Sequence, residues 1–112
     1  MRADDRVRLH PMVEAGESAM QFVAGRQRAD LDTDRMLLFA LVRAIEVFGE
    51  AASQISEETR AAHAHIPWRA IIGMRNRLIH AYFAINTEIV WQPVTQEIPA
   101  LLPQLRMMGT DK

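Results

Sequence analysis

The sequence of 112 residues contains no cysteine and only five glycines and five prolines. The absence of cysteine excludes disulfides, thiolate catalysis and cysteine-based zinc sites. The small number of glycines and prolines excludes a low-complexity chain, and an apolar fraction of 49% is ordinary for a globular protein. We therefore expect one folded domain over residues 1–112, because the chain is too short for a second core.

Long apolar runs are also missing from the sequence. The longest covers seven residues, from Met36 to Val42, whereas a membrane-spanning helix needs about 20. The charged start from Met1 to Arg6 is not followed by the apolar block of a secretory signal. We therefore expect a cytoplasmic protein that has no membrane as a partner.

Net charge is small, at −1, which argues against a protein that coats nucleic acid. The charge is nevertheless unevenly distributed, because no acidic residue lies between Glu58 and Glu88. That interval contains four arginines and three histidines, namely Arg60, Arg69, Arg75, Arg77, His63, His65 and His80. Such a stretch either attracts a phosphate group locally or forms an ordinary solvated basic face.

Apolar residues recur at helical spacing, and no segment shows the sustained alternation of a β-strand. The first helix is expected from about Asp4 to Ala24, with Gly25 as its stop. Within it, Pro11 either kinks the helix or marks a later start.

The second predicted helix has the clearest pattern. It follows the potential capping side chains of residues 32–34, and one face carries Leu38, Leu41, Ile45, Phe48, Ala52 and Ile55. Four neighbouring positions widen this apolar face, namely Leu37, Phe39, Val42 and Val47. The helix therefore needs partners on two sides, which are either a second copy of the chain or other parts of the same chain.

The second half of the chain is expected to hold a short helix and two longer ones. Ser56 can cap a turn from Glu57 to Ala62, and Pro67 suits the first position of a helix that ends near Tyr82. Asn86 and Thr87 can cap a last helix, whose later part should be kinked or broken by Pro93, Pro99 and Pro103. The expected fold is an all-α antiparallel bundle of four to five helices.

The segment from Arg75 to Tyr82 contains the side chains best suited to chemistry. The planar guanidinium of Arg75 can bind two phosphate oxygens, and the imidazole of His80 can exchange protons near neutral pH. On a continuous helix these two side chains are about 140° apart. Either the helix ends before His80, or counterparts from a second subunit complete the site. Asn76, four residues before His80, either orients the imidazole or caps a carbonyl.

Two further groups of polar residues bear on the site. Glu50 either supports it through an ion pair with Arg75 or Arg77, or is an ordinary surface carboxylate. His63 and His65 are a poor ligand set for a metal, because no cysteine or acidic residue accompanies them. We predict neither a metal site nor a cofactor.

Several short motifs, taken in order, resemble the HepT-like branch of the HEPN superfamily. They are Gly49-Glu50-Ala51, Ile66-Pro67-Trp68-Arg69, the segment from Ile72 to Phe83, and Val90-Trp91. The resemblance extends from about residue 5 to residue 105. The family signature, an arginine followed by four residues, a histidine, one residue and a tyrosine, is intact as Arg75, His80 and Tyr82. One difference is Ala81, where relatives often have glycine.

The resemblance implies a homodimeric, metal-independent endoribonuclease that acts as the toxin of a prokaryotic toxin–antitoxin pair of the type VII kind. Arg75 and His80 would cleave RNA in a cleft at the dimer interface, with Asn76, Arg77 and Glu50 as supporting residues. The usual partner is a minimal nucleotidyltransferase called MntA, which transfers AMP to the signature tyrosine, here Tyr82. The added phosphodiester would repel and occlude RNA. The alternative is a non-catalytic HEPN dimer that binds a nucleotidyltransferase or a nucleotide.

Overall fold

A computed structural model describes residues 1–80 and 86–110, and all regular structure in these ranges is helical. The helices are α1 Ala3–Val23, α2 Arg35–Gln54, α3 Glu57–Ala62, α4 Trp68–His80, α5 Glu88–Gln92 and α6 Ile98–Thr110. A 3-10 turn, Arg28–Asp32, precedes α2, and a π-helical segment, Pro93–Glu97, joins α5 to α6. The predicted all-α bundle is confirmed. None of the helices in the described ranges has the length and apolar character needed to cross a membrane.

Helix α1 begins at Ala3 and continues through Pro11 to Val23. Pro11 therefore lies inside the helix and does not mark a later start. The predicted stop is confirmed at Gly25, which has a φ of 73°. Glycine adopts this left-handed conformation at little cost because it has no Cβ atom.

Helix α2 lies at the centre of the bundle. The carboxylate of Asp34 caps its start by accepting a hydrogen bond from the backbone N–H of Leu37 at 3.0 Å, which pairs one of the amides that a helix start leaves open. Ile45 and Phe48 are fully buried, whereas Phe39 is half-exposed. Helices α1 and α4 both pack against α2. The chain itself therefore supplies partners for most of the wide apolar face.

Contacts along α1 show how its neighbours pack against it. A guanidinium N–H of Arg8, near the start of α1, donates to the carbonyl of Gln54 at the end of α2 at 3.0 Å. Helices α1 and α2 are therefore antiparallel. Farther along α1, a Cβ atom on Gly16 would lie 2.8 Å from Cδ2 of Leu102, so the glycine allows α6 to pack closely against α1.

A buried carboxylate ties α1 to α3. Asp5 is only 1% exposed and accepts hydrogen bonds from the backbone N–H of Ser56 at 2.8 Å, the Ser56 hydroxyl at 2.7 Å and the Thr59 hydroxyl at 2.6 Å. The Ser56 hydroxyl oxygen also accepts from the N–H of Thr59 at 3.3 Å, which confirms the predicted cap of α3. Burial raises the pKa of the Asp5 carboxyl, but the hydrogen bonds from Thr59 and Ser56 outweigh it and leave the pKa below its ordinary value.

The last predicted helix is not broken by its prolines. Residues 88–110 remain helical, and Pro103 lies inside α6. The departure from α-helical geometry falls earlier than predicted, at Pro93, whose carbonyl accepts from the N–H of Ile98 in a wider π turn. Tertiary packing explains the continuity, because Val94, Ile98 and Leu105 are fully buried and hold the chain against the core.

Candidate functional site

Helix α4 carries the candidate residues and is anchored through its inner face. Ile71, Met74 and Leu78 are buried, as is Trp68 at the start of the helix. The indole N–H of Trp68 donates to the carbonyl of His63 at 3.0 Å, which fixes the loop before the helix. The polar residues of the motif lie on the faces of α4 that remain.

Arg75 is positioned by a close contact between α4 and α2. Gly49 of α2 is buried, and a Cβ atom at this position would lie 2.9 Å from Cβ of Arg75 and 3.3 Å from the carbonyl oxygen of Ile71. Next to Gly49, the Oε2 atom of Glu50 is 3.5 Å from Nε of Arg75. The two side chains are 52% and 40% exposed, so this ion pair contributes at most about 1 kcal/mol. Arg75 is therefore held in place and still open to an anion from solvent.

The other supporting residues lie on different sides of α4. Arg77 contacts Glu97 of the π-helical segment, with 3.8 Å between its guanidinium and the carboxylate. Of the two pairings considered for Glu50, the structure contains the one with Arg75. Asn76 is exposed, and among the described residues no hydrogen bond joins it to His80. Its orienting role remains a prediction from the spacing.

His80 is the exposed last residue of α4. The helix does not end before it, so the explanation by an early helix end is wrong. Arg75 and His80 keep the separation of about 140° that a continuous helix imposes, and a single chain does not bring them together. Tyr82 lies outside the described residues.

A surface cleft of about 440 Å³ adjoins Arg75 between α1, α2 and α4. Five charged residues line it, namely Arg8, Arg43, Glu46, Glu50 and Arg75. Its volume lies in the range of small-molecule sites, about 300–1,000 Å³. The sequence alone does not connect Arg8 or Arg43 with the motif, because they belong to other helices. The only available signal was the spacing of Arg43, Glu46 and Glu50 along one exposed side of α2.

Binding of a metal ion depends on how the histidines and acidic residues are arranged. The ring centroids of His63 and His65 are 6.1 Å apart. Within residues 1–80 and 86–110, no three side chains of histidine, aspartate or glutamate come together as metal ligands do. The candidate residues of the site in the described ranges offer guanidinium, imidazole, carboxamide and carboxylate groups.

Comparison with known proteins identifies the family. The profile of the family described as "Ribonuclease HepT-like" matches residues 12–108. A candidate RNase of Caldanaerobacter subterraneus subsp. tengcongensis is 37% identical over 98 residues, which cover 88% of each chain. A protein of Thermococcus cleftensis, provisionally designated ribonuclease HepT, is 35% identical over 101 residues, which cover 90% of this chain and 92% of its own. No solved structure matches significantly. Since the matching region contains nearly all of the helical bundle and the whole of α4, the chain belongs to the HepT-like ribonuclease family.

Proposed function

We propose that this chain is a metal-independent endoribonuclease, the toxin of a HepT/MntA-type pair, which acts as a homodimer in the cytoplasm. One observation carries the proposal: a partly exposed arginine and an exposed histidine lie on the same continuous helix of a HepT-like ribonuclease fold. The names of the relatives support RNA as the substrate. The remaining question is how two side chains on different faces act on one phosphodiester.

A second copy of the chain answers this question. In a two-fold symmetric dimer, Arg75 of one subunit meets His80 of the partner subunit, and symmetry creates a second, equivalent site. Ile79, which is exposed beside His80, offers an apolar surface for the contact between subunits. The active site is then a composite cleft at the dimer interface.

The chemistry is transfer of the phosphodiester within the RNA chain. His80 takes the proton from a ribose 2′-hydroxyl, the 2′-oxygen attacks the adjacent phosphorus, and the bond to the 5′-oxygen breaks. Water protonates the departing 5′-oxygen, and the imidazolium then releases its proton to solvent. The products are a 2′,3′-cyclic phosphate and a 5′-hydroxyl end.

Arg75 stabilises the negative charge that grows on the phosphate during this step. Because Glu50 contacts the Nε atom, the two terminal nitrogens of the guanidinium stay available for phosphate oxygens. Arg77 adds positive charge to the same helix, and Asn76 orients the imidazole of His80 from four residues away.

Activity is switched off by transfer of AMP to Tyr82 from a minimal nucleotidyltransferase. The sequence places this tyrosine two residues after His80. The added group brings a negative phosphodiester and considerable bulk to the region where the RNA phosphate binds. Repulsion and occlusion then prevent binding of the substrate.

The test is RNA cleavage by the purified protein in the presence of a chelator such as EDTA. We expect the parent to cut, and Arg75→Ala and His80→Ala each to lower the rate by about 100-fold or more. If His80→Ala cut as fast as the parent, the catalytic role would be refuted. A parent that binds a nucleotidyltransferase or a nucleotide but cuts no RNA would instead support the non-catalytic binding module.

A further inference from the structure

Two additional arginines share the cleft with Arg75. Arg8 comes from α1 and Arg43 from α2, so three helices each contribute an arginine to the lining of one concave surface. Two carboxylates also line this cleft, but Glu50 is already paired with Arg75. The concave surface therefore has an excess of positive charge next to the proposed phosphate-binding group.

Both arginines have donors to spare. Arg8 donates to the carbonyl of Gln54 at 3.0 Å, which uses one of the five N–H groups of its guanidinium and holds the group at the end of α2. Arg43 is exposed, and it forms no hydrogen bond or ion pair with any residue in the described ranges. Arg8 is thus held in position to bind an anion, and Arg43 has no partner among residues 1–80 and 86–110 that an anion would have to displace.

We infer that Arg8 and Arg43 bind backbone phosphates of the RNA that neighbour the scissile phosphate at Arg75. The inference rests on the proposed ribonuclease function. A strand whose scissile phosphate contacts Arg75 must continue along the protein surface, and Arg75 is one of the residues that line this cleft. Arginine suits the task because its planar fork matches phosphate oxygens and its charge attracts a polyanion.

The size of the cleft points to a single strand as the occupant. At about 440 Å³, it accommodates a group of roughly nucleotide size, as small-molecule sites do. An RNA duplex keeps its bases paired and stacked inside an A-form helix, and such a helix is too thick to enter a cleft of this size. The structure therefore assigns this surface to single-stranded RNA.

Replacement of Glu46 should change RNA binding in the direction opposite to replacement of the arginines. It lies three residues after Arg43 on α2 and lines the same cleft. A carboxylate at this place repels a phosphate backbone, so its neutralisation should strengthen binding of RNA. General damage to the fold would weaken binding for every variant.

The experiment measures the affinity of a fluorescein-labelled single-stranded oligoribonucleotide by fluorescence anisotropy at several salt concentrations. All variants are made in the His80→Ala protein, so that the probe is not cut. We expect Arg8→Gln and Arg43→Gln each to weaken binding about fivefold near 0.1 M salt and to lower the salt slope by about 0.7. Glu46→Gln should tighten binding.

The matched control is Arg106→Gln, which removes the same charge from α6, where Arg106 pairs with Glu17 at 2.9 Å. It should change the affinity less than twofold. Arg43→Gln is the decisive variant, since it breaks no hydrogen bond or ion pair within the described part of the chain. Thermal melting of each variant verifies that it folds.

Three results would overturn the proposed phosphate binding by Arg8 and Arg43. They are no binding of RNA by the His80→Ala protein, unchanged RNA affinity of Arg43→Gln, or an equal loss of RNA affinity in Arg106→Gln. A different result is expected if the chain is not a ribonuclease. In that case the parent with His80 intact leaves RNA uncut, while the pattern of affinities persists. If the parent cleaves RNA but the variants do not show the expected affinities, only the phosphate binding by Arg8 and Arg43 would be refuted.

Discussion

Gly49 of α2 and Arg75 of α4 are so close that a side chain on the glycine would collide with the arginine. A Cβ atom on Gly49 would lie 2.9 Å from Cβ of Arg75, whereas non-bonded carbon atoms are most stable at about 3.5–4.0 Å. The missing side chain lets the two helices approach and places Arg75 beside Glu50. A residue 26 positions earlier in the sequence therefore positions the proposed phosphate-binding group.

The first prediction follows from this contact. Gly49→Ala should destabilise the protein by about 1–3 kcal/mol through overpacking and should lower RNA cleavage, because α4 must shift together with Arg75. Gly73→Ala is the matched control on α4, since a Cβ atom there meets nothing within 4 Å. It should retain activity and gain up to about 1 kcal/mol from helix propensity. Urea unfolding and cleavage rates measure both effects, and equal behaviour of the two variants would contradict the prediction.

The second prediction concerns the composite site. Arg75→Ala and His80→Ala proteins, each inactive alone, should regain activity when they are unfolded together and refolded as a mixture. Random pairing makes half of the dimers mixed, and each mixed dimer holds one intact site, so about a quarter of the parental activity should return. The control is a mixture of two proteins that both carry His80→Ala, so that no dimer in it holds an intact site. Mixed dimers that form but remain inactive would show that the two residues do not act across subunits.

The third prediction concerns the buried carboxylate that joins α1 to α3. Asp5→Asn should cost about 1–3 kcal/mol at neutral pH, because the part-buried donors of Ser56 and the buried hydroxyl of Thr59 lose a charged acceptor. Asp4→Asn, an exposed neighbour in the same first turn, should change stability by less than about 0.5 kcal/mol.

The difference in unfolding free energy between the parent and Asp5→Asn should become smaller as the pH falls. The pKa of Asp5 is lower in the folded protein than its ordinary value of 3.8, so the carboxylate stabilises the fold fully above that value. This stabilisation is lost as pH falls through the lower folded pKa. Unfolding free energies of the parent and of Asp5→Asn should therefore converge below about pH 4. A constant difference between pH 7 and pH 3 would contradict the assignment.

The fourth prediction concerns control by adenylylation. After co-expression with its nucleotidyltransferase, mass spectrometry should find one AMP moiety on Tyr82 and RNA cleavage should be lost. Tyr82→Phe should cleave RNA and resist this inhibition, because it lacks the hydroxyl that accepts the AMP group. If the nucleotidyltransferase neutralised Tyr82→Phe as well as the parent, this mechanism would be refuted.

Local signals in the sequence were sufficient to predict most of the helices. Asp34 and Ser56 cap α2 and α3 as expected, and Gly25 ends α1. Each of these signals acts over a few residues, since a cap or a stop depends on the backbone next to it. The break predicted from the prolines of the last helix is wrong, because packing against the core keeps residues 88–110 helical.

The sequence by itself determined the helical fold, its burial pattern and the arginine and histidine of the signature. Only the tertiary structure decided which distant residues accompany them. Arg8, Arg43 and Arg75 meet in one cleft, and Asp5 reaches Ser56 and Thr59 across more than 50 residues. Such contacts depend on how closely and in which direction helices pack. The spacing of apolar residues along one helix does not specify which other helix packs against it.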